Sequence, residues 1–107
     1  MANGGICKMR IISADTIENS VYSLALKACT ILPGSSACAL EQAYAREQSP
    51  FGREALGQLI KNAETAKRNN IPLCQDTGMA VVFMEIGQDV HIEGGLIANA
   101  VNSGVRR

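Results

Sequence analysis

Residues 79–86 restrict the possible folds of this chain more than any other stretch. They are nearly all apolar and rich in β-branched or bulky side chains, which is typical of a β-strand covered on both faces. Such a strand needs neighbours in a sheet, yet the chain offers one obvious partner, the alternating residues 90–92. The sequence therefore predicts the N-terminal part of something longer.

Three helical patterns precede that stretch and one follows it. In each, apolar residues recur three or four positions apart, as on one face of an α-helix. The sequence thus predicts an α+β fold with a predominantly helical N-terminal part of three helices, then a short β element and a further helix. The boundary signals are N-caps, prolines and an asparagine pair: Ser13 or Asp15, Pro33, Ser35 or Ser36, Ser49-Pro50, Asn69-Asn70 and, for the last helix, a start near Leu96.

Charge and cysteine spacing argue against several classes of protein. Ten basic and ten acidic residues give a formal net charge of zero, so the strong electrostatic attraction that drives nucleic-acid binding is missing. The four cysteines form no CxxC pair, and no apolar run approaches the ~20 residues that span a bilayer. We expect free thiols in a reducing cytoplasm, with no nucleic-acid or membrane partner. Residues 1–8, before Met9, are expected to be a loose leader.

The loop between the third helix and the apolar stretch concentrates polar groups. Residues 71–78 read Ile-Pro-Leu-Cys-Gln-Asp-Thr-Gly, so an amide, a carboxylate and a hydroxyl follow Cys74. Pro72 restricts the backbone at the start of the loop and Gly78 frees it at the end, which allows a tight loop with converging side chains. A thiolate there can hold a metal while its neighbours contact a small anionic ligand. The alternative for Cys74 is a buried structural thiol.

This loop resembles the signature of the class I fumarate hydratases and the related tartrate dehydratases, which are oxygen-sensitive iron–sulfur hydro-lyases. The resemblance covers nearly everything after about residue 10, is most specific at residues 72–78, and over residues 89–107 is closest to the alpha subunit of the two-subunit fumarase. It implies that residues 9–107 are the truncated N-terminal part of the catalytic domain of such an alpha subunit. Other matching segments include Leu32-Pro33, Glu47-Gln48-Ser49-Pro50, Asn62-Ala63, Gly94-Gly95 and Gly104-Val105-Arg106-Arg107.

By this resemblance, Cys74 is expected to be one of three cysteine ligands of a [4Fe-4S] cluster, with the other two outside this chain. Three thiolates leave one iron without a protein ligand, and that iron can act as a Lewis acid toward the substrate. Gln75 is expected to bind a substrate carboxylate. Asp76 would be the catalytic residue that hydrogen-bonds the departing or attacking oxygen and passes it a proton. Asp76 and Thr77 are also expected to bind the substrate, and Thr77 would orient Asp76 or cap local backbone. The implied reaction is the reversible hydration of fumarate to malate in the tricarboxylic acid cycle.

The resemblance also implies partners and leaves alternatives open. The substrate would be a small dicarboxylate, and the remainder of the alpha subunit and a beta subunit would assemble with this chain into a hetero- or homo-oligomer. Dehydration of L-tartrate is the alternative reaction, because the loop signature is shared. The alternative from another class is a small helical binding module in which Cys74 is inert.

The remaining candidates are expected to be structural. Cys29 and Cys38 fall in helical patterns rich in alanine and leucine, so small core residues are the better interpretation. Cys7 lies in the leader. His91 alternates with apolar neighbours and is expected at an exposed strand position. Arg106-Arg107 could clamp a dicarboxylate, but a solvated helix end is the favoured interpretation.

Overall fold

The computed structural model describes residues 8–74 and 78–107. These form two compact units, one holding the chain up to Ala25 together with Met79–Arg107 and the other holding Leu26–Gly78. The described residues are mostly helical, with one two-stranded sheet, which confirms the predicted α+β class. In chain order the elements are β1 (Arg10–Ser13), α1 (Ala14–Thr30), α2 (Gly34–Arg46), α3 (Pro50–Asn69), β2 (Val90–Glu93) and α4 (Ile97–Arg106).

Local side-chain signals set the helix ends at three predicted positions. At the start of α1, the backbone N–H of Thr16 donates to Ser13 Oγ at 3.1 Å. At the start of α3, the N–H of Gly52 donates to Ser49 Oγ at 3.4 Å. Asn70 ends α3 with φ 54° and ψ 42°, a left-handed conformation that asparagine tolerates better than most residues. Each signal acts within one turn, so sequence alone can find it.

The predicted start of α2 is wrong. The helix begins at Gly34 with Pro33 at the N-cap, and no side chain caps it. Pro33 has an extended ψ of 143°, and its carbonyl accepts a hydrogen bond from the N–H of Ala37 at 2.9 Å. The serines proposed as caps, Ser35 and Ser36, therefore lie inside the first turn. The proline both ends the preceding segment and begins the next helix.

The predicted strand at residues 79–86 is also wrong. This stretch has no regular secondary structure, and Met79 and Phe83 are 88% and 93% exposed. The sheet instead joins β2 in parallel to β1, with Arg10 opposite Val90 and Ser13 opposite Glu93. No sequence signal marks β1, because this strand has four residues and ends at Ser13, the N-cap of α1. Parallel partners need a long connection, so a nearby hairpin partner was the wrong expectation.

In the first unit, Arg107, which directly follows α4, contacts side chains of α1. Arg107 Nη1 donates to Asn19 Oδ1 at 2.8 Å and lies 3.6 Å from Glu18 Oε1. The guanidinium carbon of Arg107 is 4.8 Å from the centroid of the Tyr22 ring, within the range of a cation–π contact. Arg107 is thus engaged by three side chains of α1 rather than simply solvated.

The second unit is built on the packing of α2 and α3. Ala66, near the end of α3, is fully buried. The guanidinium carbon of Arg53 lies 5.0 Å from the centroid of the Tyr44 ring, which links the two helices at the surface. Small side chains keep the helix axes close but bury little area each, so this core is thin.

The stretch Ala14–Arg46 passes a length-and-composition test for a membrane-spanning helix, which alone is weak support for one. The stretch consists of two helices, of 17 and 13 residues, separated by residues 31–33. Neither reaches the ~20 residues typical of a helix that crosses a bilayer. The absence of a membrane partner stays a prediction.

Gly104 lies where α4 closely approaches α1. A methyl group on Gly104 would lie 2.6 Å from the Glu18 carbonyl oxygen and 2.8 Å from Val21 Cβ. Both Gly104 and Val21 are buried, and a backbone oxygen cannot rotate away as a flexible side chain can. This contact therefore requires glycine.

We expect Gly104→Ala to lower the free energy of unfolding by up to about 2 kcal/mol. The overpacking cost is about 1–3 kcal/mol, and the ~1 kcal/mol by which alanine favours a helix over glycine offsets part of it. Gly34→Ala is the matched control, because no atom lies within 4 Å of the position its methyl group would take. Urea unfolding of the full chain measures both variants. Equal midpoints for the two variants would contradict the close α1–α4 contact.

Candidate functional site

Cys74 lies in the second unit, four residues after the left-handed turn that ends α3. Its side chain is exposed. The alternative of a buried structural thiol is therefore excluded for the residues that the structure describes. An accessible thiol on a loop is the arrangement that metal ligation or nucleophilic chemistry requires.

The backbone leading to Cys74 is held at every available N–H group. The N–H of Ile71 donates to the Ala66 carbonyl at 3.1 Å, which is the six-to-one hydrogen bond of a Schellman motif. Pro72 has no N–H. The N–H of Leu73 donates to the Cys29 carbonyl at 2.8 Å, and the carbonyls of the last turn of α1 need such partners.

The last of these hydrogen bonds is made by Cys74 itself. Its N–H donates to Asn62 Oδ1, on α3, at 2.9 Å. Consecutive backbone amides at Leu73 and Cys74 are thus held by two different helices, α1 and α3. The position of the Cys74 backbone is fixed by these contacts, while its thiol remains accessible.

The three residues that follow Cys74 cannot be compared with their predicted roles. Gln75, Asp76 and Thr77 lie outside the described residues. Their assignments to substrate binding and proton transfer stay predictions. Gly78, on the far side, is exposed, and a side chain there would meet no atom within 4 Å.

The structure corrects the interpretation of two other cysteines. Cys29 and Cys38 are exposed rather than small core residues. Cys38 Sγ accepts a hydrogen bond from Gln42 Nε2 at 3.3 Å on the surface of α2. Both thiols lie at exposed positions of their helices, Cys29 on α1 and Cys38 on α2. Cys7 lies outside the described residues.

His91 is exposed on β2, as predicted. Its neighbours Val90 and Ile92 are half-buried, so the strand alternates between its two faces. No role is assigned to His91.

A single thiolate fits the chemistry of an iron–sulfur ligand but does not make a complete site. Among residues 8–74 and 78–107, no group of three or more His, Cys, Asp or Glu side chains is placed to hold a metal ion. Cys74 has the donor that such clusters prefer, and it is accessible on an anchored loop. The described part of the chain therefore fits one ligand of a cluster.

A groove of about 600 Å³ lies in the first unit. Residues 82–87, α1 and the sheet line it, mostly with apolar side chains, and Arg10 is its one basic residue. A dicarboxylate needs several cationic or N–H donor groups. The groove therefore lacks the chemistry of the predicted site.

Comparison with known proteins identifies the family. A sequence model of the family described as fumarate hydratase (Fumerase) matches residues 18–107. The chain belongs to the fumarate hydratase family. This confirms the resemblance that the loop at residues 72–78 carries.

One curated relative is similar to this chain over most of the chain's length. A protein from Methanocaldococcus jannaschii, named "Putative L(+)-tartrate dehydratase subunit alpha", is 37% identical over 75 residues. The alignment covers 70% of this chain and 26% of the relative, so the chain spans about a quarter of the relative's length. No solved structure matches the chain significantly.

Asn62 is the residue at this site that sequence reasoning missed. An asparagine in the interior of a helix is a weak signal, because its amide competes with the helical backbone and is favoured at caps and turns. Here the amide oxygen satisfies an N–H of the following loop. The contact joins residues twelve positions apart, across the end of α3, so no local pattern announces it.

We expect Cys74 to react with a maleimide under native conditions in the metal-free full chain. Its thiol is exposed, as are those of Cys29 and Cys38, so the three should be modified at rates within about tenfold of one another. Peptide mapping by mass spectrometry identifies each site, and denatured chain gives the reference for full modification. A Cys74 that reacts only after denaturation would contradict the exposed geometry.

Proposed function

We propose that this chain provides part of the active site of an iron–sulfur hydro-lyase that reversibly hydrates fumarate to malate. The observation that carries the proposal is the exposed thiol of Cys74 on an anchored loop, in a chain that belongs to the fumarate hydratase family. Cys74 would be one of three cysteine ligands of a [4Fe-4S] cluster, and the other two would come from outside this chain. When bound, the cluster would supply a Lewis-acidic iron without a protein ligand.

The residues after Cys74 would act on the substrate. The side-chain amide of Gln75 would donate hydrogen bonds to a substrate carboxylate without adding charge. Asp76 would hydrogen-bond the oxygen that leaves as water or arrives as water, and would transfer a proton to or from it. Thr77 would hold Asp76 in position. Hydration adds a proton and a hydroxide across the double bond, so no oxidant or reductant is needed.

Dehydration of L-tartrate is the second candidate reaction. It is favoured by one specific observation, the 37% identity to a protein whose name assigns it to a tartrate dehydratase. Malate and L-tartrate are both dicarboxylates that carry a hydroxyl beside a carboxylate. Cys74, Gln75 and Asp76 would therefore serve either reaction, and their presence does not choose between them.

Exposed apolar surface supports further protein partners. Met79 and Phe83 are 88% and 93% exposed, and Leu96 is 71% exposed. Large exposed apolar side chains contribute to interaction surfaces when they lie together in a patch. We propose that residues 9–107 are the N-terminal part of an alpha-subunit catalytic domain and that residues 1–8 form a leader before it. The rest of the alpha subunit and a beta subunit would complete a cytoplasmic oligomer.

We expect Cys74→Ser to abolish iron binding in the full-length protein. Anaerobic reconstitution with ferrous iron and sulfide should give a brown chromophore in the wild type, because thiolates are the ligands that these clusters use. Serine keeps the size of the side chain but offers a poor ligand. Iron content, the visible spectrum and hydration of fumarate are the measurements.

Cys38→Ser is the matched control for that experiment. Cys38 is also an exposed thiol, but it lies on α2 and accepts a hydrogen bond from Gln42. The Cys38 variant should keep its colour and its activity. A colourless wild type, or equal iron in both variants, would favour the binding module with an inert Cys74.

We expect Asp76→Asn to reduce the turnover of fumarate by about 10²–10⁴-fold while the cluster is retained. An amide cannot exchange a proton as a carboxylate does, and general acid–base catalysis contributes a factor of that size. Asp89→Asn is the control, since Asp89 is an exposed turn residue before β2. Turnover measured with fumarate and with L-tartrate tests both candidate reactions. Normal turnover of both by Asp76→Asn would exclude a catalytic role for this carboxylate.

A further inference from the structure

The amide of Asn62 is oriented toward the backbone of the candidate cluster ligand. Its oxygen lies 2.9 Å from the backbone nitrogen of Cys74. Because the Cys74 N–H can only donate, the atom that faces it must be the amide oxygen and not the nitrogen. The chemistry of the contact therefore fixes the orientation of the Asn62 side chain.

Asn62 is itself held by the packing of α3. It is half-buried and lies one turn before Ala66, which is fully buried. The carbonyl of Ala66 accepts the N–H groups of Asn70 and Ile71 at the end of the same helix. The side chain that anchors Cys74 thus projects from α3 one turn before a buried, hydrogen-bonded residue.

We propose that Asn62 is a positioning residue that fixes the Cys74 backbone so that its thiolate is preorganised for the cluster. The proposal rests on the proposed function, because it gives Asn62 a role only if Cys74 binds iron. Asn62 does not touch the cluster in this scheme and acts through Cys74. Groups that orient a metal ligand in this way typically change metal affinity by 10–100-fold when they are removed.

Iron release from the reconstituted full-length holoenzyme tests this proposal. Asn62→Ala removes the acceptor and should release iron to a ferrous chelator roughly tenfold faster than the wild type. Asn62→Asp keeps an oxygen acceptor in the same place and should stay within about threefold of the wild type. Gln58→Ala removes an exposed amide one turn earlier on α3 and should have no effect. A merely structural role would lower the urea midpoint of Asn62→Ala but leave iron release from folded protein unchanged.

Three outcomes of the iron-release measurement would overturn the proposal. Iron release from Asn62→Ala at the wild-type rate would show that the acceptor is dispensable. Equally fast release from Asn62→Asp and Asn62→Ala would show that the hydrogen bond is not the cause. Release accelerated to the same extent by Gln58→Ala would point to a general weakening of α3.

A measurement on the wild type keeps the test valid if Asn62→Ala does not fold. In the metal-free full chain, the Cys74 amide should exchange with solvent at least about tenfold more slowly than an unstructured amide, because its N–H is bonded. Unprotected exchange would overturn the proposal. Cys74→Ser separates the two hypotheses: if it retains iron, the proposed function fails, and if it loses iron while Asn62→Ala behaves as wild type, only the positioning role fails.

Discussion

Hydrogen bonds to the backbone of residues 71–74 hold together the part of the molecule on which the candidate site depends. A loop that leaves a helix end normally gives its N–H groups to water, and its side chains then sample many positions. Here the amides of Leu73 and Cys74 are bonded to the Cys29 carbonyl and to Asn62. Ordering the loop costs conformational entropy, about 1–2 kcal/mol for each residue fixed, and these contacts offset part of that cost before any ligand binds. The thiol can therefore be accessible while the backbone that carries it is held in place.

The parts of the fold that sequence could predict are those decided within one helical turn. Ser49 caps α3 because its hydroxyl reaches an N–H three residues later, and Asn70 ends it because asparagine tolerates the left-handed conformation. The one helix start that was misplaced involved two adjacent signals of different strength. Pro33 fixes its own φ covalently, whereas Ser35 and Ser36 act through a hydrogen bond of about 1 kcal/mol. The covalent restriction set the start of α2.

The parts that sequence could not predict are those decided by distant residues. β1 has no pattern of its own, and it is a strand only because Val90–Glu93 lies beside it. Residues 79–86 have the composition of a covered strand but no partner among the described residues, so composition and structure disagree there. Glycine is a poor helix former, yet Gly104 lies inside α4 at a close approach to α1. In the candidate site the same division holds: the loop motif marked Cys74, but not the asparagine that anchors it.

Under the proposed function, the choice between malate and L-tartrate depends on groups outside the loop at residues 72–78. Malate and L-tartrate share two carboxylates and the hydroxyl that leaves, so under the proposed function Gln75 and Asp76 would meet the same groups in both. Tartrate adds a second hydroxyl. A site that hydrogen-bonds this hydroxyl would reject malate strongly, by ~10⁴-fold, because its buried polar groups would lose their partners, whereas a site shaped for malate would reject tartrate only ~10²-fold. Under the proposed function, the substrate could therefore change through one or two polar groups elsewhere, without altering Cys74, Gln75 or Asp76.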